Sequence, residues 1–335
     1  MLVKVTHETT LTYDDLISES AMELRLSPRQ EDDQHRLSFT LAVGPWSAIS
    51  SHFDWLGNTV HALTINGFHR EMRVMATSVV ETNRETPDIA ALSDTWPIPA
   101  GRLDYAMYDC LQLLGPIVDS PALRRLAETA GARQGETLGG LTERLMHMVH
   151  DRFTYQKGVT TAASPITEIL KHGCGVCQDF THLLIGLARV LGIPARYVSG
   201  FVHRENDAIR GHAQTHAWCE MFFPSKGWIG FDPTNNCLVG RPFIKIAHGR
   251  DFRDVTPNKG VFRGAAREKI SVEVNVEEMA NIPPALAAER FEPIHLEVYA
   301  HRREEHLEAV TQQQEQQQQE LHQQQEQQQQ CRGIL

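Results

Sequence analysis

Blocks of basic residues are missing from this 335-residue chain. Its 32 lysines and arginines are scattered and outnumbered by 42 aspartates and glutamates, for a formal net charge of −10 at pH 7. That balance lacks the electrostatic footprint of a nucleic-acid binder and bears on solubility rather than fold. Long apolar runs are missing too. None approaches the ~20 residues that cross a bilayer, so no membrane partner is expected. Met1–Glu8 has no long apolar stretch after Lys4, so no signal peptide is expected and a cytoplasmic location is the default. Cysteine is scarce, at positions Cys110, Cys174, Cys177, Cys219, Cys237 and Cys331. Thiols this sparse do not make a disulfide scaffold, and cytosolic thiols stay reduced. Metal signatures are also wanting. No His-Glu-x-x-His string or Asp/Asn-rich calcium loop occurs, and His147 and His150 share a helix face without an evident third ligand. No cofactor or metal is called for.

What is present is ordinary globular material. Apolar residues make up 41% and there are 23 glycines, enough to bury a core. The length predicts about two domains at roughly 150 residues each. Residues 1–85 read as an all-β sandwich, because Leu37, Phe39, Leu41 and Val43, and again Met72, Val74 and Ala76, alternate with mostly polar neighbours. Asp54-Trp55-Leu56-Gly57-Asn58 reads as a turn between strands. Breakers mark a linker over 83–101. Residues 86–280 then read as α+β. Ser120-Pro121 opens a helix, Leu138, Leu141, Leu145, Met148 and Val149 stripe a second, and Ser164-Pro165 opens a third that ends before Gly173. A helix after Gly175 carries Phe180, Leu183, Leu184, Leu187 and Leu191 and stops at Gly192 and Pro194. Strands follow over 195–202, 215–223 and 227–232, and a last one carries Ile270, Val272, Val274 and Val276. Residues 281–335 form a charged, then glutamine-rich tail. Positions 312–330 hold only Gln, Glu, one Leu and one His, which cannot build a core and is expected to be disordered.

Three residues stand where chemistry could occur. Cys177 opens an apolar-faced helix, where the positive end of the macrodipole favours a thiolate and free first-turn N–H groups can hold an oxyanion. Gly175 allows a sharp bend before it, and Asp179 suits the same helix end. His216 and Asp232 lie on two strands joined near Pro224-Ser225. If Phe222 pairs with Lys226 across a three-residue loop, His216 falls directly opposite Asp232, with Cβ atoms about 4.5–5.5 Å apart. The carboxylate would then fix the imidazole tautomer and stabilise imidazolium. Other readings stay open on spacing alone. A helix cysteine is usually a small core residue, and a His–Asp pair can be merely structural. Cys174-x-x-Cys177 with His216-x-x-Cys219 would supply four zinc ligands, but a strand over 215–223 points His216 and Cys219 to opposite faces. A non-catalytic binding module is the remaining alternative.

Gly175-Val176-Cys177-Gln178-Asp179-Phe180, His216-Ala217-Trp218 and Gly227-Trp228-Ile229-Gly230-Phe231-Asp232-Pro233-Thr234 resemble, in this order, the motifs of the bacterial transglutaminase-like family. Upstream, Glu23-Leu24-Arg25-Leu26-Ser27-Pro28-Arg29 and Asp54–Asn58 look like the β-rich domain often fused to that core. Downstream, Gly249–Pro257 and Gly260–Gly264 resemble its closing segment, so the likeness covers about residues 1–280. It implies a papain-like core of helices packed on an antiparallel sheet, with Cys177 as nucleophile, His216 as general base and acid, and Asp232 as orienter. It further implies acyl transfer at a peptide or protein amide through a thioester, ending on water (hydrolysis, as in a cysteine peptidase) or on an amine (transglutamination). A glycan-asparagine amidase uses the same residue types. Gln178, Trp218 and Trp228 are the expected substrate contacts. Cys174 is not required by the family pattern and is either a disulfide partner of Cys177 or incidental. Thr181 stands where relatives often have alanine.

Overall fold

Alternation of buried and solvent-facing residues produces strands of unusual length in the first eighty residues. The computed structural model describes residues 1–203 and 215–281, with Ile294 and Leu296. Its elements run β1 (Leu2–Leu24), β2 (Gln34–Gly44), β3 (Ile49–Phe53), β4 (Thr59–Thr82), α1 (Pro121–Glu128), α2 (Leu138–Arg152), β5 (Thr154–Tyr155), α3 (Ile166–His172) and β6 (Cys174–Gly175). Then come α4 (Cys177–Val190), β7 (Ala195–Val202), β8 (His216–Phe223), β9 (Gly227–Asp232), β10 (Cys237–Leu238), β11 (Phe243–Gly249), α5 (Phe252–Val255), β12 (Asn258–Arg263) and β13 (Glu268–Glu278). None of the described helices is long and apolar enough to cross a membrane.

The N-terminal domain is one antiparallel sheet folded over on itself. β1 and β4 run through both halves, and their pairing is irregular between Thr12 and Glu19. One half has the order β13-β1-β4-β2 and the other β12-β1-β4-β3. Leu11, Tyr13, Met72 and Val74 from the first half close on Met22, Leu24, Leu63 and Ile65 from the second. Strands that bend from one layer into the next are how a single sheet makes a sandwich-like core.

The domain boundaries read from sequence are redrawn here. β12 and β13 both pair with β1, so residues 258–278 complete the N-terminal sheet rather than the second domain. The chain leaves this sheet at Thr82, builds the second domain, and returns. The tail assigned to 281–335 lies outside the described residues from 282 onward, except Ile294 and Leu296. A Cβ placed on Gly44 would meet the Ile294 side chain, which covers the end of β2.

The second domain is α+β, with a five-stranded antiparallel sheet of order β10-β9-β8-β7-β11. Helix starts follow the sequence signals. Ser120 Oγ accepts from Leu123 N at 3.2 Å, and Thr137 Oγ1 from Gly140 N at 3.4 Å. Phe180, Leu183, Leu184 and Leu187 of α4 lie in one core with Cys219, Met221 and Phe223 of β8 and Ile229 and Phe231 of β9. Each such side chain contributes about 1.5–3 kcal/mol by leaving water. Val3, Val5 and Val80 of the N-terminal domain belong to the same core. A charge cluster around buried Lys245 also reaches across the domains. Lys245 Nζ is 2.8 Å from Glu220 Oε1 and 3.1 Å from Glu31 Oε1. β11 and α5 complete the domain.

Candidate active site

The approach to Cys177 is a short extended run held on one side. β6 pairs in parallel with β5, and Gln156 N donates to Gly175 O at 2.8 Å. Gly173 (φ 69°) ends α3 in the left-handed region, so the sharp bend falls two residues before the position the sequence suggested. Gly175 has a different task. A Cβ there would sit 2.7 Å from Asp179 Oδ2 and 2.8 Å from its Cβ. Asp179, third residue of α4, folds back into that space to accept from Val176 N at 2.8 Å and Thr160 Oγ1 at 2.6 Å. Burial raises the Asp179 pKa, against the pull of those donors.

Cys177 is thereby fixed as the first residue of α4. The amides of Asp179 and Phe180 are drawn onto Val176 O at 3.0 and 3.1 Å. The Cys177 and Gln178 amides are among those a helix leaves without an internal acceptor. Cys174 and Cys177 are both free thiols. Because 174–176 is extended, their Cα atoms stand roughly 10 Å apart, beyond the ~7 Å reach of a disulfide. Cys174 is not poised to bridge Cys177.

β8 and β9 carry the other two residues, in a register different from the expected one. The loop is three residues long but lies one position later, with Phe223 opposite Gly227 and Cys219 opposite Phe231. Asp232 therefore stands level with Trp218, and His216 is its diagonal neighbour. A shift of two keeps both side chains on the same face, and the diagonal is within reach of a long side chain. His216 Nε2 lies 2.7 Å from Asp232 Oδ2, with both side chains fully buried.

Asp232 is saturated with donors. Oδ1 accepts from Thr234 N at 2.9 Å and Asn235 N at 3.3 Å, while Oδ2 takes Asn235 Nδ2 at 2.7 Å besides His216. His150 Nδ1 donates to Pro233 O at 3.1 Å and ties α2 to this turn. A carboxylate only accepts, so Nε2 of His216 carries hydrogen and Nδ1 is left as the free base position. Nδ1 is buried and closes no hydrogen bond among the described residues. Burial alone would strip the ring of its proton; the charge and hydrogen bond of Asp232, and then Cys177 beside it, overcome this and raise the His216 pKa. The thiol and the imidazole are thus neighbours, close enough for Cys177 to add to the upward pull on the ring.

The other expected contacts fall elsewhere. Trp218 is fully buried against Phe243, with ring centroids 5.3 Å apart, and offers substrate no surface. Trp228 lies four residues from Asp232, roughly 13 Å along the strand, with the Arg196 guanidinium 4.2 Å over its ring. Trp218 backs the His216 ring from the core side, with centroids 6.3 Å apart, and Trp228 stands away from the pair. Gln178 adjoins Cys177, but its amide nitrogen is spent on Ala162 O at 2.9 Å. Cys219 is buried in the core, on the face of β8 away from His216, which removes the four-ligand zinc reading. Sequence reasoning missed Asn235, although Asp-Pro-Thr-Asn is a turn signature whose side chains bond nearby backbone. It also missed His182, kept neutral with its pKa lowered to about 3 by burial, whose Nε2 accepts from Phe252 N at 3.1 Å. No sequence pattern pointed to that contact, since His182 lies 70 residues from Phe252.

A helix that opens on a cysteine, laid on an antiparallel sheet with histidine and aspartate on adjacent strands, is the papain-like, transglutaminase-like architecture. The sequence matches agree with this fold: residues 125–233 match the transglutaminase-like superfamily, and residues 3–81 match the bacterial transglutaminase-like N-terminal region. An uncharacterized protein of Mycobacterium leprae is 29% identical over 283 residues, covering 83% of this chain and 99% of that protein. A protein-glutamine gamma-glutamyltransferase of Pseudomonas aeruginosa is 28% identical over 126 residues, 36% of this chain and 19% of that protein. The fold is shared with a candidate cysteine protease from Cytophaga hutchinsonii, whose structure superposes with a TM-score of 0.69 at 24% identity and covers 84% of this chain and 93% of that one.

Proposed function

We propose that the chain is a thiol-dependent amide hydrolase whose triad is Cys177, His216 and Asp232. The observation that carries this reading is the fully buried 2.7 Å pair of His216 and Asp232, which leaves Nδ1 of His216 free beside a thiol at a helix start. The proton of Cys177 passes to Nδ1, completing the charged ring that Asp232 stabilises, and the sulfur attacks the carbonyl carbon of an amide. The oxyanion that forms is held by first-turn amides of α4. His216 passes the proton to the leaving nitrogen, the C–N bond breaks, and a thioester remains on Cys177. Water then attacks the thioester, giving its proton to His216, and the acid and free thiol are regenerated. An amine in place of water gives acyl transfer. That second reading draws support from the likeness to the gamma-glutamyltransferase. Incubation with a peptide panel and an isotopically labelled primary amine separates the two. Free acid as the main product supports hydrolysis, and a labelled amide supports transfer. Neither product, from protein shown to be folded, would overturn both.

A further inference from the structure

The turn that follows Asp232 carries a side chain to which the acyl chemistry above gives no role. β9 ends at Asp232 and β10 begins at Cys237, which stands directly opposite it. Pro233, Thr234, Asn235 and Asn236 make the reversal, and Asn236 has φ 54°, a left-handed conformation that asparagine tolerates. The reversal is tied down on both sides. His150 Nδ1 donates to Pro233 O at 3.1 Å, and Val239 N donates to Gly230 O at 2.9 Å. On this fixed base Asn235 Nδ2 meets Asp232 Oδ2 at 2.7 Å, the same distance as His216 Nε2 on the same oxygen. The backbone amides of Thr234 and Asn235 serve Oδ1. Among the described residues, Asn235 is the one side chain besides His216 that donates to this carboxylate.

We propose that Asn235 is a positioning residue: its amide keeps Asp232 ionised and aimed at His216, and through that pair it sets how readily Cys177 loses its proton; the role of Cys177 rests on the amide-acyl reading above. A carboxylate has about four lone-pair sites, and Asp232 has one donor for each. It is fully buried, where an ionised group persists only if it is hydrogen-bonded. Hydrogen bonds to the charged form favour that form. Without the Asn235 donor, Oδ2 faces the imidazolium alone and draws the Nε2 proton toward itself. The N–H bond breaks, an O–H bond forms, and a neutral acid faces a neutral ring that no longer offsets the Cys177 thiolate. Asparagine suits the position because it is a neutral donor, whereas aspartate there would bring a second negative charge. The other titratable groups around the carboxylate do not compete. Cys237 on β10 has its thiol pushed up to about 12 by burial and by Asp232 itself and stays neutral, and His150 of α2 meets the turn at Pro233 O.

The test uses the full chain and reads the second-order rate of iodoacetamide with Cys177 between pH 5 and 8, mapped by peptide, so that no turnover is needed. Asn235→Ala should slow the reaction roughly tenfold or more at pH 7, the effect of losing one hydrogen bond to a charged group. Asn235→Asp separates positioning from turn stability. Two carboxylates in contact share one proton. Asp232 keeps three other donors, so the proton stays on the new carboxyl, whose O–H then donates to Oδ2 as the amide did. That variant should react within about threefold of the parent at pH 5 and roughly tenfold or more slower at pH 8, where the new carboxyl is ionised and repels Asp232. A side chain that merely holds the turn would instead lower the rate by one factor at every pH. The nearly isosteric Asn235→Asp also decides the outcome if Asn235→Ala does not fold. A rate within threefold of the parent in Asn235→Ala, or a loss in Asn235→Asp that is independent of pH, overturns the proposal. The two readings fail separately. Unchanged Cys177 reactivity in both variants sinks the role of Asn235 and leaves the amidase. Reactivity that follows Asn235 while no amide is turned over sinks the amidase and leaves the role of Asn235.

Discussion

Replacing Asp232 by asparagine is the most informative single change to this site. The carboxylate accepts four hydrogen bonds, two on each oxygen, and both of the side-chain donors, from His216 and Asn235, meet Oδ2. An amide has one accepting oxygen. Whichever way it is turned, its NH2 faces two donors and at least two of the four bonds are lost, at about 1–3 kcal/mol each for a buried group. The charge is lost as well. Removing one partner of a buried ion pair costs about 3–5 kcal/mol, and about 1.4 kcal/mol is tenfold in rate. Asp232→Asn should therefore slow alkylation of Cys177 at pH 7 by roughly 10²- to 10⁴-fold, with Asp119→Asn, at an exposed carboxylate, as control. The second-order rate with iodoacetamide, followed by intact mass and peptide mapping, is the assay. A rate within threefold of the parent would refute the idea that Asp232 keeps the imidazole charged.

Further outcomes follow from the same contacts. The His216 pKa is raised in the folded protein, so its contribution to stability is complete below the unfolded value near 6.5 and is lost as pH climbs through the folded value of about 10. Chemical denaturation between pH 6.5 and 10 should show that decline in the parent and a flatter profile in Asp232→Asn; parallel profiles would contradict it. At pH 7 iodoacetamide should label Cys177 before Cys110, Cys219 and Cys237, whose thiols burial pushes up, Cys237 to about 12; equal labelling would argue against an activated Cys177. Gly175→Ala should cut turnover more than tenfold, because the new methyl meets Asp179; unchanged kcat would contradict that. Lys245→Met should cost about 3–5 kcal/mol in thermal or urea unfolding, since Glu220 keeps only Arg196.

Much of the core was readable because its signals are local. Ser120 and Gly173 mark helix ends by capping and left-handed backbone, and α4 declares itself by a 3.6-residue apolar stripe. Cys177 could be singled out by its place before that stripe. The His216–Asp232 pairing was reached through a register two residues off, and parity alone preserved the face. Turn position is set by a local energy difference that composition does not reveal, whereas the face is set by which residues are buried. The return of β12 and β13 to the first sheet was not legible. Val261 and Val274 alternate like any strand, and partner choice across 234 residues or more depends on packing that no local pattern encodes. The tryptophans were misplaced for the same reason, since a strand pattern says that Trp218 has a face but not what covers it.

The central claim is a covalent acyl intermediate on Cys177. Acid-quenched intact-mass spectrometry of the full chain, after brief exposure to a panel of peptides and small amides, tests it directly. The account predicts a mass increment equal to one acyl group, mapped to Cys177, absent in Cys177→Ala and greatly reduced in His216→Ala. An increment on another residue, or none across the panel while p-nitrophenyl acetate also leaves Cys177 unmodified, would contradict it.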